Sequence, residues 1–332
     1  MAKFSRIFTA IVGVIGFLLF AIFEILRGFL LLFVPASYEP VKGVAGEIVL
    51  VTGAGSGLGR QLAIRLAKKQ ARVVIWDINV KGLEETHKMI KDVGGIVHSY
   101  KCDLTNREEI YQVAEKVKKD VGDVTILVNN AGVVSGYFVL DTPDHLIQRT
   151  FDVNSLALFW VSLHHDFKRN LINLHTTFYY FSQTAKAFMP KMVELNRGHV
   201  VTIASMAGHM ACPKLCDYSA SKYAAYGFDE GLRLDLQAKG ITGIKTTVIC
   251  PMFIAQTGMF DDVVTRSRRL TLDEVADRTI LGILREDIVV MIPASMRVTF
   301  WLKWLVPWSV VSKLMIGLVP DAVPKPGSHM KY

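Results

Sequence analysis

Cysteine is scarce in this 332-residue chain, which has four: Cys102, Cys212, Cys216 and Cys250. No C-x-x-C pair occurs, so we predict no disulfide framework and interpret Cys102 and Cys250 as buried free thiols. The chain also lacks any Asn-x-Ser/Thr sequence, which is consistent with a main domain that stays outside the secretory lumen.

Charge is absent from residues 7–23, and a second apolar run, residues 28–34, ends at Pro35. Lys3 and Arg6 precede the first run, as in a signal peptide, but no small-x-small cleavage site closes it. We therefore predict a retained hydrophobic membrane anchor over residues 1–35. A charge-free run of 17 residues is short for a span, so a spanning helix and an interfacial segment both stay open.

Excess positive charge is small in the middle of the chain, although the net charge is +8. Residues 1–42 hold four Lys/Arg and two Glu, and residues 294–332 hold five Lys/Arg and one Asp, which leaves +2 for the residues between them. The basic residues thus accompany the apolar ends. This distribution favours an anionic membrane surface as a partner and argues against nucleic acid.

A glycine-rich loop follows the first strand-like run of the main domain. Residues 47–52 have an apolar centre, residues 48–51, and predict a buried parallel strand. Gly53-Ala-Gly-Ser-Gly-Leu-Gly59 follows, and residues 60–70 have helical periodicity. Glycines at 53, 57 and 59 let the backbone approach a pyrophosphate at the helix N-terminus, where free N–H groups attract anions. The next strand, residues 71–76, leads to Asp77, 24 residues after Gly53, which is the range for binding a ribose diol.

Asp77 also indicates which dinucleotide is bound. Its carboxylate would repel a 2′-phosphate, and Ser56 in the loop supplies no compensating cation. We interpret Arg60 as a solvent-facing residue of the helix. The sequence therefore favours NAD over NADP.

Strand and helix signals continue to alternate. Residues 96–101 form a third strand before Asp103, which is a candidate adenine ligand or the N-cap of the helix near Arg107. A fourth strand, residues 124–128, ends in Asn129-Asn-Ala-Gly132, small and amide residues that suit a ligand crevice. The pattern predicts the α/β class, a Rossmann-type doubly wound parallel sheet spanning residues 36–293.

Tyr218 and Lys222 lie one helical turn apart in Tyr218-Ser-Ala-Ser-Lys222. A nearby ammonium favours the phenolate, so we expect Lys222 to lower the pKa of Tyr218 and make it a general base for an alcohol proton. Ser205 follows a strand ending at Ile203 and is placed to hold the substrate oxygen.

These motifs, in this order and spacing, resemble the short-chain dehydrogenases/reductases. Val44–Leu50, Trp76–Asn79 and Ala220–Ala225 extend the resemblance to its membrane-anchored group of epidermal retinol dehydrogenases and 17-beta-hydroxysteroid dehydrogenases of types 11 and 13. The resemblance implies an NAD(P)-dependent dehydrogenase for lipophilic alcohols, retinol first and a hydroxysteroid or fatty alcohol second. It also implies an endoplasmic reticulum or lipid-droplet location, a cytosolic catalytic domain and a homodimer.

The resemblance assigns residue roles as well. Tyr218 is the acid/base, Lys222 holds the nicotinamide ribose, Ser205 orients the substrate, and Asn154 completes a proton relay. The implied cofactor-binding residues are Gly53, Ser56, Gly57, Leu58, Gly59, Asp77, Asp103, Leu104, Asn130, Ala131, Gly132, Tyr218, Lys222, Pro251 and Thr257. One extra residue after Pro251 sets this chain apart from the family pattern at Thr257.

An insert near residues 161–183 is a second departure from the family. About 23 extra residues would rotate the far half of a continuous helix by about 140°, so the helix carrying Asn154 must loop out, unwind or break. Asn173 lies in a faint repeat of the Asn154 sequence and is a rival for the relay. We predict no metal site and interpret the polar residues of the insert as a solvated loop: His164, His165, Asp166 and His175. The insert also leaves open a catalytically impaired lipid-surface protein.

Methionine and phenylalanine dominate the segments expected over the nicotinamide. The candidate substrate residues are Ser205, Met210, Met252, Phe253 and Met259, with Met206, Leu215 and Phe260 as further lining. Such a lining suits a long lipid. Residues 294–332 bring together Trp301, Trp304, Trp308 and two lysines, Lys303 and Lys313, which predicts a membrane-associating segment, with packing on the domain's own core as the alternative.

Overall fold

The computed structural model describes residues 2–31, 41–162, 187–260, 265–266 and 268–318. The chain divides into two compact units, residues 1–42 and residues 43–332. Most of the insert, including Asn173 and the four polar residues interpreted as a loop, lies outside the described residues. The predicted domain limits at residues 35 and 293 stay predictions.

Seven parallel strands form one sheet in the order β3-β2-β1-β4-β5-β6-β7. The strands are β1 Ile48–Thr52, β2 Arg72–Asp77, β3 Ile96–Lys101, β4 Ile126–Asn129, β5 Gly198–Ile203, β6 Ile244–Pro251 and β7 Val289–Ile292. Val49 and Val51 enter the apolar cluster on one face of the sheet, and Leu50 enters the cluster on the other. Helices thus cover both faces, as the continuous apolar strands require. The predicted doubly wound parallel sheet is confirmed.

The order of the strands reverses between β1 and β4, which creates a crevice at their carboxyl ends. Helices flank the sheet: α2 Gly57–Lys68, α3 Val80–Asp92, α4 Arg107–Asp120, α5 Asp144–Phe151, α6 Ala157–Ser162, α7 Met189–Glu194, α8 Cys216–Ala238 and α9 Leu272–Arg285. One turn of π-helix, Asp152–Leu156, joins α5 to α6.

The first unit contains helix α1, Ala2–Leu31, whose large apolar side chains are exposed wherever they are described. None of the helices searched among the described residues has the length and apolarity needed to cross a membrane. The membrane anchor over residues 1–35 stays a prediction.

Two helices end the described chain, α10 Met296–Leu305 and α11 Trp308–Leu318. Val311 and Met315 are buried in the domain core. Packing on the core, the alternative left open by the sequence, is therefore correct for one face of this pair. The opposite face carries Trp304 and Trp308, which are 69% and 71% exposed.

Candidate active site

The glycine-rich loop opens the crevice above β1. Gly53 and Gly57 adopt positive φ angles of 63° and 50°, which a side chain would disfavour. Ser56 caps α2 without donating or accepting a side-chain hydrogen bond among the described residues. The first backbone N–H groups of α2 are therefore left to an anion, as the pyrophosphate prediction requires.

Gly59 brings α2 against the loop. A Cβ at this position would lie 2.2 Å from the Gly53 carbonyl oxygen and 2.5 Å from Nδ2 of Asn130. Asn130 in turn donates Nδ2 to the Thr52 carbonyl oxygen at 2.9 Å and to the Gly53 carbonyl oxygen at 3.2 Å. The end of β4 thus fixes the conformation of the loop, which is a cradle shaped for a dinucleotide.

Asp77 faces the loop from the end of β2. Its carboxylate accepts hydrogen bonds from the Gly55 N–H at 2.8 Å and the Asn79 N–H at 2.9 Å. A carboxylate has about four lone-pair positions, so acceptor capacity remains for a ribose diol. Asp77 and Ser56 both line the same cavity.

Arg60 does not face solvent, and that interpretation of the sequence was wrong. Its guanidinium donates to the Gly55 carbonyl oxygen, to Oγ1 of Thr86 at 2.9 Å and to Oε2 of Glu85 at 2.8 Å. Because Thr86 and Glu85 of α3 bind the guanidinium, the Arg60 side chain lies against the glycine-rich loop. With its charge matched by Glu85, Arg60 leaves the negative field of Asp77 uncompensated.

Asp103 is not an N-cap. Asn106 caps α4, accepting from the Glu109 N–H at 3.1 Å, whereas Oδ1 of Asp103 accepts from the N–H and hydroxyl of Thr105. Asp103 lines the cavity beside Leu104. Of the two roles that the sequence left open, the N-cap is wrong, and the adenine contact stays a prediction.

Ser205, Tyr218 and Lys222 converge at the centre of the cavity. Tyr218 and Lys222 lie on α8, and the Lys222 ammonium lies 5.7 Å from the centre of the Tyr218 ring. Nζ of Lys222 donates to the Ile203 carbonyl oxygen at 2.9 Å, which ties α8 to the end of β5. Ser205 follows β5, and its hydroxyl donates to the Pro251 carbonyl oxygen at 3.4 Å. The same hydroxyl is near enough to the Tyr218 phenol to lower the pKa of that phenol.

Burial controls the pKa values of both titrating groups. It raises the pKa of Tyr218 to about 12, against a smaller lowering by the hydrogen bond with Ser205. It lowers the pKa of Lys222 to about 8. In the protein alone the Tyr218 pKa is thus raised by desolvation, opposite to the lowering that the sequence led us to expect from Lys222.

Asn154 lies behind this trio in the π-helical turn. Its Oδ1 accepts from the Val133 N–H at 2.8 Å, and its Nδ2 donates to the Val133 carbonyl oxygen and to Oγ of Ser221, both at 2.9 Å. A Cβ on Gly132 would lie 3.4 Å from both Oδ1 of Asn154 and Nζ of Lys222. Asn154 is thus held close to the Lys222 side of the site, as its predicted role requires.

One cavity of about 890 Å³ connects these groups. Every residue predicted to bind cofactor or substrate lines it, whereas Asn154 lies buried outside the lining. Thr257 is among them despite the extra residue, because the turn at Gln256, with a φ of 59°, brings it to the cavity. Beyond Tyr218 the wall is aromatic: Phe260 packs edge-on against Tyr218 and Phe253, with centroids 5.4 Å apart in each case.

Several lining residues were not predicted. Helices α10 and α11 contribute Met296, Thr299, Met315 and Leu318, and the α5 region contributes His145, Gln148, Arg149, Asp152 and Val153. Met296 and Met315 could have been predicted as lining residues from the sequence, because the predicted substrate wall is already rich in methionine. For the polar residues of α5 the sequence offers no comparable signal.

A dinucleotide cradle and a serine–tyrosine–lysine trio in one cavity define an oxidoreductase that interconverts an alcohol and a carbonyl. A sequence profile of the family described as short chain dehydrogenase matches residues 47–165 and 172–268. The chain belongs to the short-chain dehydrogenase family. It is accordingly an oxidoreductase acting on CH–OH donors, with a nicotinamide dinucleotide as cofactor.

Within this family the chain is similar to retinol and 17-beta-hydroxysteroid dehydrogenases. The chain is 44% identical to mouse epidermal retinol dehydrogenase 2 over 81% of both chains. It is 42% identical to human estradiol 17-beta-dehydrogenase 11 over 90% of this chain and 91% of the relative, and 41% identical to human 17-beta-hydroxysteroid dehydrogenase 13 over 90% of both. The resemblance inferred from the sequence motifs is confirmed.

Solved structures show the same fold. A short chain dehydrogenase/reductase from Burkholderia phymatum in complex with NAD aligns with a TM-score of 0.66 at 23% identity, covering 80% of this chain and 95% of that one. A metagenomic short-chain oxidoreductase in complex with NADP aligns with a TM-score of 0.58 at 24% identity, covering 75% and 96%.

Proposed function

We propose that the chain is a membrane-associated dehydrogenase that oxidises a lipophilic alcohol, with NAD as the preferred hydride acceptor. The observation that carries this proposal is the single cavity, which joins the dinucleotide cradle to an aromatic and methionine-rich wall through Ser205 and Tyr218. Retinol is the first candidate substrate and a hydroxysteroid or fatty alcohol the second. The names of the relatives agree with retinol and with a hydroxysteroid.

The preference for NAD is supported by the charges around the ribose position. The Asp77 carboxylate faces the cavity, and Arg60 is paired with Glu85. The basic residues among the described cavity lining are His145, Arg149 and Lys222, none of which is on β2, the glycine-rich loop or the start of α2. A 2′-phosphate would thus meet a carboxylate without a matching cation.

Proton transfer belongs to Tyr218. Ser205 holds the substrate hydroxyl beside the phenol, and Tyr218 takes its proton as the carbinol hydrogen leaves as hydride. A bound oxidised nicotinamide dinucleotide supplies the hydride acceptor and a positive charge that favours the phenolate. Lys222 adds a second cation on the same side, and Asn154 holds the backbone at Val133 in place for the relay to Lys222.

The intact trio disfavours the alternative of a lipid-surface protein that binds cofactor without turnover. That alternative was suggested by the insert near residues 161–183, most of which lies outside the described residues. Asn154, which precedes the insert on the same helical segment, keeps its hydrogen bonds to Val133 and Ser221.

Membrane association is supported by two separate apolar surfaces, one in each compact unit of the chain. Helix α1 exposes aromatic and branched side chains at its described positions between Phe8 and Leu26, and the outer face of α10 and α11 exposes Trp304, Leu305 and Trp308. Tryptophans beside cations are typical of a lipid interface. We propose the endoplasmic reticulum or a lipid droplet as the location, and the homodimer stays a prediction.

The test is turnover by microsomes that contain the full chain. We expect oxidation of all-trans-retinol with NAD to exceed oxidation with NADP by about tenfold or more, the effect of one charge repulsion. Estradiol and dodecanol, assayed in parallel, rank the substrate classes. Equal use of NAD and NADP would overturn the cofactor assignment, and no turnover of the three alcohols would overturn the proposed function.

A further inference from the structure

We infer that Lys303 is a positioning residue, which fastens the α10 wall of the substrate cavity to the loop and helix that carry the catalytic groups. The sequence suggested a membrane-facing lysine at this position. The structure instead turns Lys303 toward the domain, where it is half-buried.

Lys303 donates two hydrogen bonds across the domain. Its Nζ lies 2.6 Å from the His209 carbonyl oxygen and 2.7 Å from the hydroxyl of Tyr223. Tyr223 closes the triangle, because its own hydroxyl donates to the same His209 carbonyl. The ammonium also lies 5.4 Å from the centre of the Tyr223 ring and 5.0 Å from that of Trp304.

The His209 ring forms the other half of this junction. It packs edge-on against Tyr226 of α8 at 4.4 Å and Phe300 of α10 at 4.9 Å between ring centroids. Its Nε2 lies 3.4 Å from Sγ of Cys250 on β6. One buried residue thus brings together α8, α10 and β6, and Lys303 binds its backbone.

The junction is directly connected to the catalytic trio. His209 ends the short 3₁₀ turn Met206–Gly208, which Ser205 caps by accepting from the Ala207 N–H at 3.1 Å. A Cβ on Gly208 would lie 2.6 Å from the Lys222 carbonyl oxygen, so the turn and α8 are in contact. Tyr223 follows Lys222 in sequence. Lys303 is therefore connected to Lys222 through Tyr223, and to Ser205 through His209 and the turn Met206–Gly208.

Along the same face of the helix, one and two turns before Lys303, α10 forms part of the substrate wall through Met296 and Thr299. A long apolar substrate must contact this wall while its hydroxyl lies between Ser205 and Tyr218. Because Lys303 holds the wall and the catalytic turn at a fixed separation, it affects how well a long alcohol binds and leaves the proton transfer itself unchanged.

This inference rests on the proposed dehydrogenase function for its kinetic test only. With the full chain in microsomes, Lys303→Met keeps an unbranched side chain of nearly the same length and removes its charge and donors. We expect the KM for all-trans-retinol to rise about tenfold, the effect of one charged hydrogen bond, while kcat changes by less than about twofold. Lys303→Arg, which keeps charge and donors, should restore most of the affinity.

The matched control is Lys313→Met, because Lys313 is an exposed lysine on the neighbouring helix α11. We expect wild-type KM and kcat for it. A second, activity-independent measurement is amide hydrogen exchange, in which residues 206–210 and 296–305 should exchange faster in Lys303→Met than in Lys313→Met.

Three results would overturn the inference: equal KM values for Lys303→Met and Lys313→Met, a loss of kcat without a change in KM, or unchanged exchange in both segments. Failure of the proposed function is a different result, since the wild-type chain would then oxidise no lipophilic alcohol while the exchange difference would persist.

Discussion

Lys222 is held in the folded protein at an energetic disadvantage. Burial lowers its pKa from 10.5 to about 8, although Nζ donates to the Ile203 carbonyl oxygen. The unfolded chain therefore binds more protons between these two pH values, and the stability of the wild-type protein rises with pH across that window. Such a group is retained for chemistry and not for folding.

Lys222→Met should consequently abolish activity and stabilise the fold at pH 7. The pKa shift, reduced by the lost hydrogen bond, corresponds to a gain of roughly 2 kcal/mol in the free energy of unfolding. The gain should be complete below pH 8 and shrink as the pH rises toward 10.5. Urea unfolding at pH 7 and pH 9.5 measures it, with the exposed Lys239→Met as control. A gain independent of pH would contradict this account.

Ser221 orients Asn154 and is itself held by a hydrogen bond to the preceding turn of α8. Its hydroxyl accepts from Nδ2 of Asn154 at 2.9 Å and donates to the Tyr218 carbonyl oxygen at 2.7 Å. Removing these contacts in Ser221→Ala should lower kcat about tenfold, as expected for a buried hydrogen bond at the site. KM should change little.

Ser219 provides a matched control on the same helix. It is also buried, but its hydroxyl has no hydrogen-bond partner among the residues described. Ser219→Ala should therefore leave kcat within about twofold and leave stability unchanged or higher. Steady-state kinetics of the two variants test whether the hydrogen bond between Ser221 and Asn154 supports catalysis. An equal loss of kcat in both variants would show that this hydrogen bond does not matter for turnover.

At the scale of elements, the sequence was sufficient for the strands and for the glycine-rich loop. Parallel strands buried on both faces must be continuous apolar runs, and a loop approached by another backbone must be glycine. Arg60 was misjudged because its rotamer depends on Glu85 and Thr86 of a different helix. The pKa of Tyr218 was misjudged for a related reason, since desolvation depends on everything packed around the phenol.

The close contact of Gly59 in α2 with the Gly53 carbonyl of the loop can be tested by substitution. A Cβ there would lie 2.2 Å from the Gly53 carbonyl oxygen, so Gly59→Ala must displace the loop. We expect NADH binding to weaken at least about tenfold and stability to fall by about 1–3 kcal/mol.

The control for this loop variant is Gly231→Ala in α8, where a Cβ would meet no atom within 4 Å. It should bind NADH as the wild-type chain does and gain about 0.5–1 kcal/mol of stability from helix propensity. Fluorescence titration with NADH and thermal unfolding measure both effects. Unweakened binding in Gly59→Ala would refute the cradle geometry.

For the whole molecule, the C-terminal helices have two faces with different roles. The inner face buries Val311 and Met315 and lines the cavity, and the outer face exposes Trp304 and Trp308. The sequence predicted an apolar, tryptophan-rich segment but could not show which face packs on the core and which is exposed. The packing of α10 depends on residues nearly a hundred positions earlier in the chain, as in the contact of Lys303 with His209.

Replacing both outer tryptophans should weaken membrane binding by the full chain. We expect Trp304→Ala/Trp308→Ala to reduce flotation with vesicles of phosphatidylcholine and phosphatidylserine about fivefold, since each ring loses apolar burial in the interface. Leu234→Ala, at a 59% exposed position on α8, is the control and should float as the wild-type chain does. Equal flotation of both variants would place the lipid contact elsewhere.

The central claim is that this cavity oxidises a lipophilic alcohol through Tyr218. The most direct measurement compares NADH formation from NAD and all-trans-retinol by the wild-type chain and by Tyr218→Phe, which keeps the ring against Phe260 and removes only the hydroxyl. We predict robust turnover by the wild-type chain and a loss of at least about a hundredfold in the variant, with NADH binding unchanged. Activity retained in Tyr218→Phe would contradict the account.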